Sequence, residues 1–175
     1  VERVKKDADW LSQYSDVPEI LLSFIGDPYQ PEEVKLGLTR QIISILIQQR
    51  LPFTILTKGG SRAVRDFDLL AAYPKSRFGT SLVFTDQDKA DYWEPKAASI
   101  KDRIRTIQAA HEMGIKTWVS LEPVIYPDQA IEIVKTLHPI VDHWKIGKIN
   151  HFRSIEDQID WVKFRSDITK VLQDK

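Results

Sequence analysis

Five short apolar runs alternate with segments whose apolar residues recur every three or four positions, and this rhythm limits the chain more than any other feature. The runs cover residues 19–25, 53–57, 77–84, 116–121 and 142–146. Helical patterning covers residues 4–14, 38–50, 63–73, 128–137 and 154–172, and a further helix opens at Ser99. Ser99 followed three residues later by Asp102 resembles a capping box, and Gly114 is placed to end that helix. Thr39 is a weaker cap candidate, and Pro52, Pro74 and Pro139 stop the helices before them. Repeated β–α alternation implies right-handed crossovers and a parallel sheet with helices outside it. The fold class is therefore α/β. Two closures compete: an open doubly wound sheet, or part of a (β/α) barrel. The first helix has no strand before it and the chain lacks an initiator Met, so it reads as a fragment entering a barrel after its first strand.

The 175 residues suffice for one domain, taken as 1–175, with no repeat or linker to divide them. Lys+Arg and Asp+Glu each number 25, so no net charge draws the chain to nucleic acid or an anionic membrane. No basic stripe interleaved with aromatics stands out, and nucleic acid is not supported as a partner. No apolar run is long enough for a membrane helix, and a cytoplasmic location is expected. The chain has no cysteine, which removes disulfides, thiolate metal sites and cysteine nucleophiles together. The four histidines lack HExxH spacing, so no metal site is expected on them.

Ligands of parallel α/β folds sit at the C-terminal ends of the strands. There the sequence places Ser23, Gly26, Asp27 and Tyr29, then Thr57, Lys58, Gly59 and Gly60, then Ser81 and Thr85. Ser120 and Glu122 follow, and finally Lys145, Lys148, Asn150 and His151. Carboxylates facing ammonium groups across a rim, with hydroxyls between them, match a small zwitterion. Loops are polar anyway, so each residue taken singly also fits simple solvation. Lys58-Gly59-Gly60 lacks the full phosphate-loop pattern. Arg65-Asp66 reads as a charge pair at a helix start, Arg40 as a salt-bridge residue, and Trp118 and Trp144 as barrel packing.

The ordered segments "LLSFIGDPYQPEE", "LTRQIISIL", "FTILTKGG", "RDFDLL", "FGTSLVFTD", "WEPKAASIKDRIRTIQAAHEMGIKTWVSLEPVIYP" and "HWKIGKINH" resemble the radical S-adenosylmethionine enzymes. They are most similar to the branch of spore photoproduct lyase and DNA-repair-photolyase-like proteins, and the resemblance runs from about Ile20 to His151. It implies about five units of a partial TIM-type (β/α)6 barrel. It also implies a [4Fe–4S] cluster on a CxxxCxxC loop, S-adenosylmethionine chelated to that cluster, and a 5′-deoxyadenosyl radical. This chain departs from the pattern in having no cysteine. It should therefore bind neither cofactor firmly and should be inactive alone, as a fragment of a longer lyase-like enzyme.

The resemblance places Gly26 and Asp27 near the cofactor's amino group and Lys58 near its carboxylate, with Ser23 counted among the cofactor-binding residues. Ser81 falls by the ribose or methionyl end, Glu94 and Arg103 form a pair, and Glu122 falls by the adenosyl moiety. Tyr29, Lys145, Lys148, Asn150 and His151 fall on the substrate side, with the substrate and catalytic residues unassigned. The alternatives are a (β/α)-barrel lyase or hydrolase using Asp27 or Glu122 as base with Lys58 or Lys148 as electrophile, and a non-catalytic degenerate barrel. An incomplete barrel should leave the first strand with one open edge, where self-association is expected.

Overall fold

The segment Phe53–Thr57 forms a strand with the predicted bounds, because β-branched and aromatic residues suit a pleat covered on both faces. The computed structural model describes residues 1–22 and 25–173. Five strands form one sheet in the order β1 (Ile20–Leu22), β2 (Phe53–Thr57), β3 (Ser76–Ser81), β4 (Lys116–Val124) and β5 (His143–Lys148). Every neighbouring pair is parallel. A doubly wound sheet reverses its strand order partway, whereas this order is strictly sequential. Right-handed crossovers then put the connecting helices on one face, and the sheet curls into a half-barrel: a partial (β/α) barrel.

The register sorts the side chains. Leu56 stands beside Gly79, Gly79 beside Trp118, and Trp118 beside His143; Ser81 stands beside Ser120, and Ser120 beside Lys145. Residues in register share a face, so this set lines the concave side of the sheet. The intervening residues Ile55, Phe78, Val119 and Leu121 are fully buried beneath the helices. The core there is completed by Ile43 and Leu46 of α3 (Leu38–Gln48), Ile107 and Ala110 of α6 (Ile100–Glu112), and Ile133 and Val134 of α7 (Pro127–Leu137). The chain opens with α1 (Glu2–Leu11), which packs on α3, and the short α2 (Glu33–Leu36) lies between β1 and α3.

Several expectations shift. The described part of the first strand is Ile20–Leu22; Ser23 and Phe24 lie outside the described residues, and Ile25 is almost wholly exposed. The third strand stops at Ser81, although Leu82, Val83 and Phe84 stay buried as irregular chain. The helix expected over 63–73 becomes a 3₁₀ segment, Gly60–Asp66, followed by α4 (Phe67–Ala71), because Asp66 is held by distant partners described below. Thr39 does not cap α3. Gly37 does so with φ 60°, and the Thr39 hydroxyl donates to the Pro28 carbonyl instead. Ser99 does cap α6, accepting from the Asp102 amide, and Gly114 follows that helix with φ 74°. The closing helix breaks into α8 (Arg153–Glu156) and α9 (Trp161–Gln173), because Asp160 accepts from the Lys163 amide and restarts the chain as a cap. Among the described residues, β1 pairs only with β2 and β5 only with β4, so each leaves one edge open.

Candidate functional site

The loop after β1 is built around Asp27. Its carboxylate accepts from the Tyr29 amide, the Thr57 hydroxyl and the Lys58 amide at 2.8, 2.6 and 2.6 Å. Asp27 thus ties this loop to the end of β2. Gly59 is required by close approach, since a Cβ there would meet the Tyr29 carbonyl at 2.8 Å. Gly60, with φ 57°, brings the chain onto the N-terminus of α6, where the Ser61 amide donates to Asp102. The Lys58 carbonyl accepts from the Ala98 amide at 2.8 Å, which fixes the chain after α5 (Gln87–Trp93) to the same strap.

These three loops enclose a cleft of about 530 Å³ at the C-terminal mouth of β1–β3. Asp27, Lys58 and Glu94 line it, joined by Arg62, Trp93 and Lys96. Glu94 links surface to interior. One of its oxygens lies 3.4 Å from the Lys58 ammonium, and the other accepts from the Arg103 guanidinium at 2.6 Å. Arg103 is 1% exposed and also donates to the Ser81 carbonyl, while its Nε–H has no partner. A guanidinium so far from water requires a carboxylate beside it. Cations and carboxylates converging on one cleft, with an indole in its wall, can bind a zwitterion that carries an apolar or planar body.

The remaining predicted residues separate. Glu122 lies against Gly147 on the concave face and pairs with Lys145 at 3.1 Å, outside the cleft. Ser81 is buried on that same face. Gly26 is exposed beside Gln30, and Asn150 and His151 are exposed after β5. Ser23 lies outside the described residues. Two assignments are corrected. Tyr29, expected on the substrate side, is fully buried and donates its hydroxyl to Asp66 at 3.1 Å, because the loop folds its ring into the core. Lys148, expected on the substrate side, stands over the Trp161 ring at 4.9 Å on the helix side, an odd number of residues from Lys145.

Asp66 anchors the support behind the cleft. Besides Tyr29 it takes Arg40 at 3.2 Å and Arg65 at 3.4 Å, and Arg65 pairs with Glu33 at 2.6 Å. Arg40 also binds Asp68 at 2.7 Å, which holds the Asp68 carboxyl below its ordinary range. Burial, reinforced by the Asp66 charge, pushes the Tyr29 hydroxyl far above its ordinary value. The expected pairing of Arg65 with Asp66 and the salt-bridge role of Arg40 are both present. Arg62, Trp93 and Lys96 were missed as cleft residues. Trp93 directly precedes Glu94, the one available signal, and Arg62 had none.

No family model matches the chain. An uncharacterized protein of Methanocaldococcus jannaschii is 31% identical over 110 residues, which is 63% of this chain and 41% of that protein. An uncharacterized protein of Acidianus two-tailed virus is 28% identical over 117 residues, 66% of this chain and 38% of its own length. The match thus spans well under half of each relative. Among solved structures, Streptococcus suis SuiB bound to precursor peptide SuiA aligns with TM-score 0.70 at 15% identity, over 97% of this chain and 39% of that one. SuiB bound to S-adenosylmethionine aligns at 0.62 and 15%, over 89% and 35%. A spore photoproduct lyase variant with bound AdoMet and dinucleoside spore photoproduct aligns at 0.65 and 14%, over 98% and 50%. These likenesses establish a shared barrel fold. No helix among the described residues is long and apolar enough to cross a membrane.

Proposed function

We propose that the chain is the cofactor- and substrate-binding part of a radical S-adenosylmethionine enzyme, and that its cleft receives the methionyl end of S-adenosylmethionine. One observation carries this reading: Lys58, Glu94 and Asp27, from three successive β–α loops, meet in one cleft at the mouth of the half-barrel. Lys58 would hold the carboxylate of the ligand. Glu94, fixed from behind by Arg103, and Asp27, fixed by Thr57, would face its ammonium group. Trp93 would cover the apolar part and keep water from it. Two of the solved folds of this shape carry S-adenosylmethionine, which supports the choice of ligand.

An iron–sulfur cluster needs thiolates, and the 175 residues include no cysteine, so the residues present do not fit such a cluster. S-adenosylmethionine supplies the radical chemistry when bound in an enzyme of this class. The role of this chain is to bind, orient and exclude water. Amide and indole resonances followed by NMR during titration with S-adenosylmethionine to about 5 mM test the reading, since binding this weak still shifts signals. Saturable shifts at Lys58, Trp93 and Glu94, lost in Lys58→Ala, are expected. An unshifted spectrum would overturn it.

A further inference from the structure

We infer that the open edge of β5, together with the basic stripe of α9 beside it, is a docking site for an extended acidic polypeptide segment. β5 is the last strand of the sheet, and among the described residues nothing pairs with its second edge. Such an edge presents a row of backbone donors and acceptors that accepts an added strand. Next to it lies a groove of about 590 Å³ between Lys148 at the end of β5 and one face of α9.

The face of α9 that lines this groove is not the one that packs on α7. Phe164 and Ile168 are buried, whereas Val162, Arg165, Thr169 and Lys170 face out at helical spacing. Val162 is 83% exposed. Among the described residues the groove lining contains the cations Lys148, Arg165 and Lys170 and no carboxylate, in a chain whose charges balance overall. Lys148 and Arg165 belong to no ion pair among the described residues, and Lys170 reaches only Asp167, at 4.0 Å. Lys148 rests on the Trp161 ring, which presents a cation backed by an indole at the strand end. An added strand would offer alternate side chains to this stripe. Acidic side chains on the face turned to α9 would meet the three cations, and the alternate, apolar ones would turn to the other face of the sheet.

The test uses the 175-residue chain and a fluorescein-labelled peptide of about eight alternating Glu and Val residues, long enough to span the edge. Saturable anisotropy is expected with this peptide and none with its Lys/Val counterpart. Arg165→Glu and Lys148→Glu should each weaken binding about tenfold, while Lys163→Glu, outside the groove, should not. The amides of Trp144 to Lys148 should gain hydrogen-exchange protection on saturation. Circular dichroism checks the fold of each variant, and these positions are exposed, so either reversal can carry the test if the other misfolds. Equal binding of both peptides, unchanged binding by both reversals, or protection confined to α9 would overturn the inference. Displacement of the peptide by duplex DNA at equal charge would overturn it in favour of a general polyanion patch. Dimerisation of the chain abolished by Arg165→Glu would assign the edge to a second copy.

Discussion

The Trp118 indole lies across Gly79 and donates its Nε1–H to the Ile55 carbonyl at 3.1 Å, crossing from β4 over β3 to β2. The indole is only 6% exposed and fills the concave side that would otherwise need other side chains. Three strands are therefore joined by one side chain, on the condition that the middle strand has no Cβ at the crossing.

Gly79→Ala should expel the indole, because the added Cβ would overlap its ring. Overpacking and the lost hydrogen bond together should cost about 2–4 kcal/mol. Urea unfolding measures this. In a Trp118→Leu background the same substitution should cost much less, and a full cost in both backgrounds would show that the crossing is not the cause.

Glu94 and Lys58 share an ion pair but should respond differently to removal. Glu94→Ala leaves the buried Arg103 guanidinium without its carboxylate, and should destabilise the fold by about 3–5 kcal/mol. Lys58 is 40% exposed, and Lys58→Ala should change stability by less than about 1 kcal/mol. Equal effects on the unfolding midpoint would contradict this division.

Tyr29 sets an alkaline limit. Its hydroxyl is held above its ordinary value of 10.0 in the folded chain, by burial first and then by Asp66. Above pH 10 the unfolded chain releases this proton while the folded chain keeps it. Fewer protons are then bound in the unfolded state, and stability falls as pH rises. The slope approaches about 1.4 kcal/mol per pH unit, and the group has no such effect below pH 10. Tyr29→Phe should flatten the alkaline limb of stability measured between pH 8 and pH 11. An identical limb in the variant would remove Tyr29 as its source.

Gly60 carries two constraints at once, a φ of 57° and contact with the Asp102 carboxylate. Gly60→Ala should destabilise by about 1–3 kcal/mol through strain and displacement of Asp102. In Asp102→Ala, which has no carboxylate to displace, the cost of the second substitution should fall. Thermal unfolding of the four chains in this cycle separates the two contributions.

The sequence reveals the parts of this fold that depend on local chemistry. β2 was bounded correctly because Pro52 and Lys58-Gly59-Gly60 enclose a run suited only to a strand, and α6 because Ser99 and Gly114 cap it. The alternation alone leaves barrel and doubly wound sheet open, since that choice lies in the order of strands; the ordered motifs point to a partial barrel, and the strictly sequential order agrees. Lys145 and Lys148 looked equivalent as strand-end lysines, yet their odd spacing alone puts them on opposite faces. Tyr29 and Asp66 are 37 residues apart, and their contact depends on Arg40 and Arg65 arriving from two other elements. No local pattern announces such a meeting. The pairing of Glu94 with Arg103 was expected, but the burial of Arg103 was not, because a helix arginine ordinarily reaches water.

The carboxylate of Glu94 has one oxygen toward the cleft and one toward the interior. Whatever enters the cleft and draws Lys58 away also alters the one carboxylate that, among the described residues, pairs with Arg103. Occupancy and cohesion of the barrel are thereby thermodynamically linked. A ligand that strengthens the hold of Glu94 on Arg103 would make the whole domain harder to melt, and one that competes for Glu94 would soften it. The melting temperature of this chain would then report how an occupant is bound as well as whether it is bound.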